Sequence, residues 1–68
     1  MELSARNRLP GIVKSVKLGN VMAEVLLDVA GTTVAAVITR ASAERLRLKE
    51  GDRVTAVIKA TEVMIAKE

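Results

Sequence analysis

Hydrophobic and polar residues alternate with a period of two along much of this chain, the pattern of strands that bury one face. The clearest run is 21–30, where Val21, Ala23, Val25, Leu27 and Val29 fall on one face while Glu24 and Asp28 fall on the other. Residues 12–18 predict a preceding strand, with Ile12, Val16 and Leu18 on one face and Lys14 interrupting it. Residues 32–40 predict a third, with Val34, Ala36 and Ile38 on one face. "GN" at 19–20 and Gly31 mark the turns of a meander. The period then changes. "SAERLRL" at 42–48 loses the alternation and carries helix formers, with Ser42 placed to cap a short helix and Glu44 in its first turn. "KEGD" at 49–52 predicts another turn, and residues 54–60 and 63–67 predict two final strands. Three strands, a short helix and two strands make a mainly β, OB-like, five-stranded barrel.

Composition supports sheet. Ten Val, four Ile and five Thr supply β-branched side chains. Pro10 gives no N–H to a ladder, so the first strand is expected to begin near 10–11 and "SARNR" to form a separate arm. At 68 residues the chain is read as one domain, 1–68. A domain this small needs a staple or a partner. It contains neither Cys nor His, which excludes disulfides and the usual zinc sites and leaves oligomerisation. Half of the residues are apolar, rich for so short a chain. No signal-peptide pattern and no membrane-length apolar run is present, so a cytoplasmic location is expected.

The net charge of +3 favours anionic partners. Phe, Tyr and Trp are absent, which removes the stacking platforms that small basic barrels use for single-stranded nucleic acid. Binding of nucleic acid by charge is kept as the alternative. Catalysis is not expected: the eight acidic residues are scattered, and no nucleophile or phosphate-loop motif occurs. A fully deprotonated oxyanion fits better, because it only accepts hydrogen bonds and its site needs donors alone. Three segments offer them: Ser4 and Arg6 in "SARNRL", Ser42 at the expected helix start, and Lys59 in "KAT". Each also has a plainer reading, as a solvated arm, a helix cap and an outward-facing strand residue. Spacing does not show that the three meet.

"SARN" at 4–7, "ITRASAERLRLKEGDRVTAVIKAT" at 38–61 and "VMIA" at 63–66 resemble the molbindins, the Mop family of molybdate- and tungstate-binding proteins. The resemblance covers about 3–67. It implies an OB-like fold, a homohexamer built as a trimer of dimers, an N-terminal arm exchanged between subunits, and molybdate or tungstate held between subunits for intracellular storage. Its main site implies Ser4 and Arg6 from one subunit, Ser42 and Lys59 from another, and backbone N–H groups of Ala5 and Ala60. The metal is then bound as its oxyanion, without direct protein ligands. Arg8 stands where the family commonly has Gln, and Pro10 where a ladder residue is expected. Glu2, Glu44 and Glu62 are expected to point away from the anion.

Overall fold

The alternating runs pair into one antiparallel sheet. The computed structural model describes residues 5–68, so Ser4 and Glu2 lie outside the described residues. Its elements are β1 (Asn7–Leu18), β2 (Met22–Val29), β3 (Thr32–Thr39), the helix α1 (Arg40–Arg45), β4 (Arg53–Ile58) and a 3₁₀ turn (Ala60–Glu62). The strand order is β3-β2-β1-β4. The long β1 serves two partners: its first half pairs with β4, its second half with β2, and Ile12 lies opposite both Arg53 and Asp28.

Three expectations need correcting. First, β1 begins at Asn7, not near Pro10. Pro10 sits inside the ladder opposite Thr55, at a point where β1 has β4 alone as a paired neighbour, so the missing N–H is tolerated. Second, a bulge at Lys14 resets the alternation, because Val13 pairs with Leu27 and Ser15 already pairs with Leu26. Val13 is therefore the deepest side chain of the core, while Ile12 and Leu18 are exposed. Third, the described residues form four strands rather than five. Beyond β4 the 3₁₀ turn redirects the chain, and residues 63–68 join no ladder; Met64 and Ile65 remain 91% and 90% exposed.

The predicted faces of β2 and β3 are observed. Val13, Val25 and Leu27 form the buried centre, with Val29, Val34, Ala36, Ile38, Val54 and Ala56 packed around them. Each fully buried side chain of this kind contributes about 1.5–3 kcal/mol. The sheet curls without closing, and β3 and β4 flank an apolar groove of about 280 Å³ that Leu46 and Leu48 also line.

The helix starts three residues before its expected position because Thr39, not Ser42, is the N-cap. Thr39 ends β3 in extended conformation, and its Oγ1 accepts from the Ser42 N–H at 3.1 Å. Arg40 and Glu44 then pair at 3.5 Å across one turn. The helix stops where Leu48 must enter the core. Arg47 takes a left-handed φ of 53°, while the N–H groups of Arg47 and Leu48 donate to the carbonyls of Glu44 and Ala43.

The β2–β3 hairpin turns on Ala30 and Gly31, with φ of 50° and 89°, between the paired Val29 and Thr32. Positive φ at both loop positions defines the turn that suits the twist of a two-residue hairpin, and asparagine tolerates it better than alanine. Ala30→Asn is therefore expected to stabilise the fold by about 0.5–1 kcal/mol, read as a higher urea midpoint at unchanged slope.

Candidate functional site

At the open end of the β1–β4 ladder, Asn7 pairs with Ile58, and the Asn7 side-chain amide donates to the Ile58 carbonyl at 3.2 Å. This bond ties the "SARN" segment to the "KAT" segment within one chain. The ladder ends at this pair; Arg6 and Lys59 are the residues that follow it on the two strands, and Ala60 already opens the 3₁₀ turn. Alternation then separates the faces. Asn7 and Ile58 are half-buried, whereas Arg6, Arg8, Val57 and Lys59 are exposed on the opposite side. Three cations thus share one outer face, and none of them forms an ion pair among the described residues.

Arg8 is the residue that sequence reasoning left without a role. Its signal was available: the period of two places it on the face of Arg6, next but one along the strand. Seeing that required knowing that the strand starts at Asn7.

Ser42 lies elsewhere. α1 follows Thr39, which pairs with Met22 beside the Leu18–Ala23 pair, so Ser42 sits at the far end of β1 from Arg6 and Lys59. The structure brings Arg6, Lys59, Ala5 and Ala60 to one end and leaves Ser42 at the other. Nor is Ser42 the cap that offers free amides. The Arg40 N–H already donates to the Val21 carbonyl at 2.7 Å and the Ser42 N–H to Thr39. What remains at Ser42 is its half-buried hydroxyl, whose oxygen accepts from Thr39 Oγ1 at 2.8 Å and from Arg45 Nη2 at 3.4 Å.

Several of the described carboxylates are engaged by other groups. Glu44 is paired with Arg40, Asp52 with Lys49, Asp28 Oδ1 accepts from the Gly31 N–H, and Glu24 lies opposite Lys17 in the ladder. Glu62 is exposed in the 3₁₀ turn. The chain thus presents hydrogen-bond donors and positive charge at both ends of β1, the arrangement an anion without protons requires.

Residues 3–65 match the TOBE domain family. Molybdenum-pterin-binding protein 3 of Clostridium pasteurianum is 53% identical over 66 residues, spanning 96% of this chain and 97% of the relative. A probable molybdenum-pterin-binding protein of Haemophilus influenzae is 41% identical over 69 residues, covering 100% of both chains. Among solved structures, a molybdate-binding protein from Sporomusa ovata superposes with a TM-score of 0.94 at 45% identity, covering 98% of this chain and 100% of that one. The cytoplasmic molybdate-binding protein ModG, solved with molybdate bound, gives a TM-score of 0.83 at 46% identity over 88% of this chain and 43% of its own. The mainly β fold with one short helix is thus that of solved molybdate-binding proteins. From the match over nearly its whole length and from full-length relatives at about half identity, the chain belongs to the TOBE domain family, in its Mop group of molybdenum-pterin-binding proteins.

Proposed function

We propose that this protein binds molybdate or tungstate as the tetrahedral dianion, at sites that two copies of the chain complete. The observation that carries the reading is the cationic ladder end, where Arg6, Arg8 and Lys59 face outward together without an ion pair among the described residues. The names of the relatives and of the solved neighbours point to the same ligand. Arg6, with Ser4 and the Ala5 N–H, is the arm half of the site; Lys59 and the Ala60 N–H, which the resemblance groups with Ser42 on the other subunit, follow β4 at the same end of this chain as Arg6. Ser42, at the far end of β1, comes from a second copy. A homohexamer, arranged as a trimer of dimers with exchanged arms, is the assembly proposed. The exposure of Val21, Val37, Leu46, Met64 and Ile65 supports it, since so much apolar surface on so small a chain calls for a covering partner.

The role proposed is intracellular storage of the oxyanion by a single 1–68 domain, in the cytoplasm and without catalysis. No helix among the described residues is long and apolar enough to cross a membrane. Ligand that binds only the assembled form stabilises the assembly by mass action.

Isothermal titration with molybdate and with a single-stranded oligonucleotide, each at low and high salt, tests the reading. Tight molybdate binding with no oligonucleotide heat is the expected result. Oligonucleotide binding that weakens steeply with salt, without molybdate binding, assigns the cationic face to nucleic acid instead. Arg8→Gln is expected to weaken molybdate binding a few-fold and to reduce its salt dependence, because Arg8 adds charge to the face without completing the ligand shell.

A further inference from the structure

We propose that residues 63–66 of one copy of this chain lie in the apolar groove between β3 and β4 of a second copy, as the strand that a single chain lacks. The contact specifies the assembly proposed above, on which it rests, and needs no ligand.

Both edges of the sheet border this groove. In the order β3-β2-β1-β4, β3 and β4 each have one paired neighbour, so each presents a row of unpaired N–H and C=O groups. Val25 and Leu27 form the floor, Ala36 and Ile38 one wall, and Ala56 and Ile58 the other. No charged side chain among the described residues lines it. The occupant that fits is apolar and extended: apolar side chains match the floor and walls, and extended backbone matches a sheet edge.

The chain carries such a segment. "VMIA" at 63–66 is uncharged, with Lys67 and Glu68 beyond it. Val63 is already extended, at φ −89° and ψ 125°. Met64 and Ile65 stay 91% and 90% exposed, and residues 63–68 join no ladder. The tail leaves its own groove uncovered, since none of residues 63–68 lines it. Each copy thus offers both a tail and a groove. Two copies related by a two-fold axis exchange both at once. Four extended residues burying half of their surface, the groove they cover and the reciprocal contact together reach on the order of 1,000 Å², the lower end for a specific interface.

Size exclusion with light scattering on the full chain reads the mass. Met64→Asp combined with Ile65→Asp is expected to lower the oligomer mass to half or less, because a charged tail resists burial in an uncharged groove. The far-UV circular dichroism of the sheet is expected to persist, since neither side chain packs within one chain. Met64→Leu with Ile65→Leu keeps the tail apolar and is expected to keep the mass. Cross-linking identifies which chain supplies the tail, and the sequence has no native Cys to interfere. Chains carrying Met64→Cys or Ile65→Cys are mixed under oxidation with chains carrying Ala36→Cys or Ala56→Cys. A disulfide-linked pair of one of each is the expected product. A disulfide that forms only when both cysteines stand in the same chain overturns the proposal, because the tail then folds onto its own groove. An oligomeric wild type whose mass the double aspartate variant keeps also overturns this contact, and leaves the rest of the assembly standing. A wild type with the mass of one chain overturns this contact and the proposed assembly together.

Discussion

Replacing Arg6 by alanine is expected to lower molybdate affinity by about a hundredfold or more, while the sheet keeps its stability. The two halves of this expectation have separate origins. Arg6 lies just outside the β1–β4 ladder and is exposed, so its truncation leaves no cavity and removes no packing. Its guanidinium nevertheless offers charge-assisted, forked donation to a dianion, and a desolvated contact of that kind between chains is worth several kcal/mol. Lysine at the same position keeps the charge but loses the fork, so Arg6→Lys is expected to recover only part of the loss. Calorimetric titration reads the affinity, and urea unfolding of the ligand-free protein reads the stability. Unchanged molybdate affinity in the alanine variant means that the arm is not part of the site.

Gly11→Ala is expected to have the largest effect on the fold. Gly11 lies at the crossing where β1 passes from β4 to β2. A Cβ there falls 2.8 Å from the Asp28 carbonyl oxygen and 2.9 Å from Val29 Cγ2. The first contact is with backbone and cannot be relieved by a rotamer change, so the strands must separate locally. Overpacking of this kind costs about 1–3 kcal/mol. In so small a domain that is a large share of the total, and the expected result is a clearly lowered urea midpoint. Molybdate should partly restore it if ligand binds only the assembled native form. A midpoint equal to wild type shows that the crossing yields without cost.

Much of the fold was legible because its physics is local. The inward faces of β2 and β3 follow from strict alternation, and both hairpin turns follow from glycine and its neighbours. What escaped depended on partners. The bulge at Lys14 moves Val13 into the core and Ile12 out of it, and no periodicity within 12–18 signals where the extra residue falls. The last apolar run, 63–67, has the composition of a strand but finds no ladder within one chain, since pairing needs a free edge in reach. The helix began early because a threonine at the end of a strand outcompeted the serine that looked like the cap. At the site, residue chemistry alone singled out Ser4, Arg6, Ser42 and Lys59 as donors, without showing that they meet. Arg8 stood out in the sequence only as a departure from the family's glutamine.

By itself the sequence determined the class of the protein: a small, mainly β domain without aromatic, cysteine or histidine chemistry, rich in donors and inclined to associate. Those properties are carried by composition and by short-range periodicity, which survive without knowledge of neighbours. Only the tertiary structure decided which donors share a place. The Asn7–Ile58 register sets Arg6, Arg8 and Lys59 on one face, and the length of β1 holds Ser42 away from them. Register between distant segments is fixed by how whole strands bury their faces against each other, and that information is spread over the sheet rather than written in any one motif.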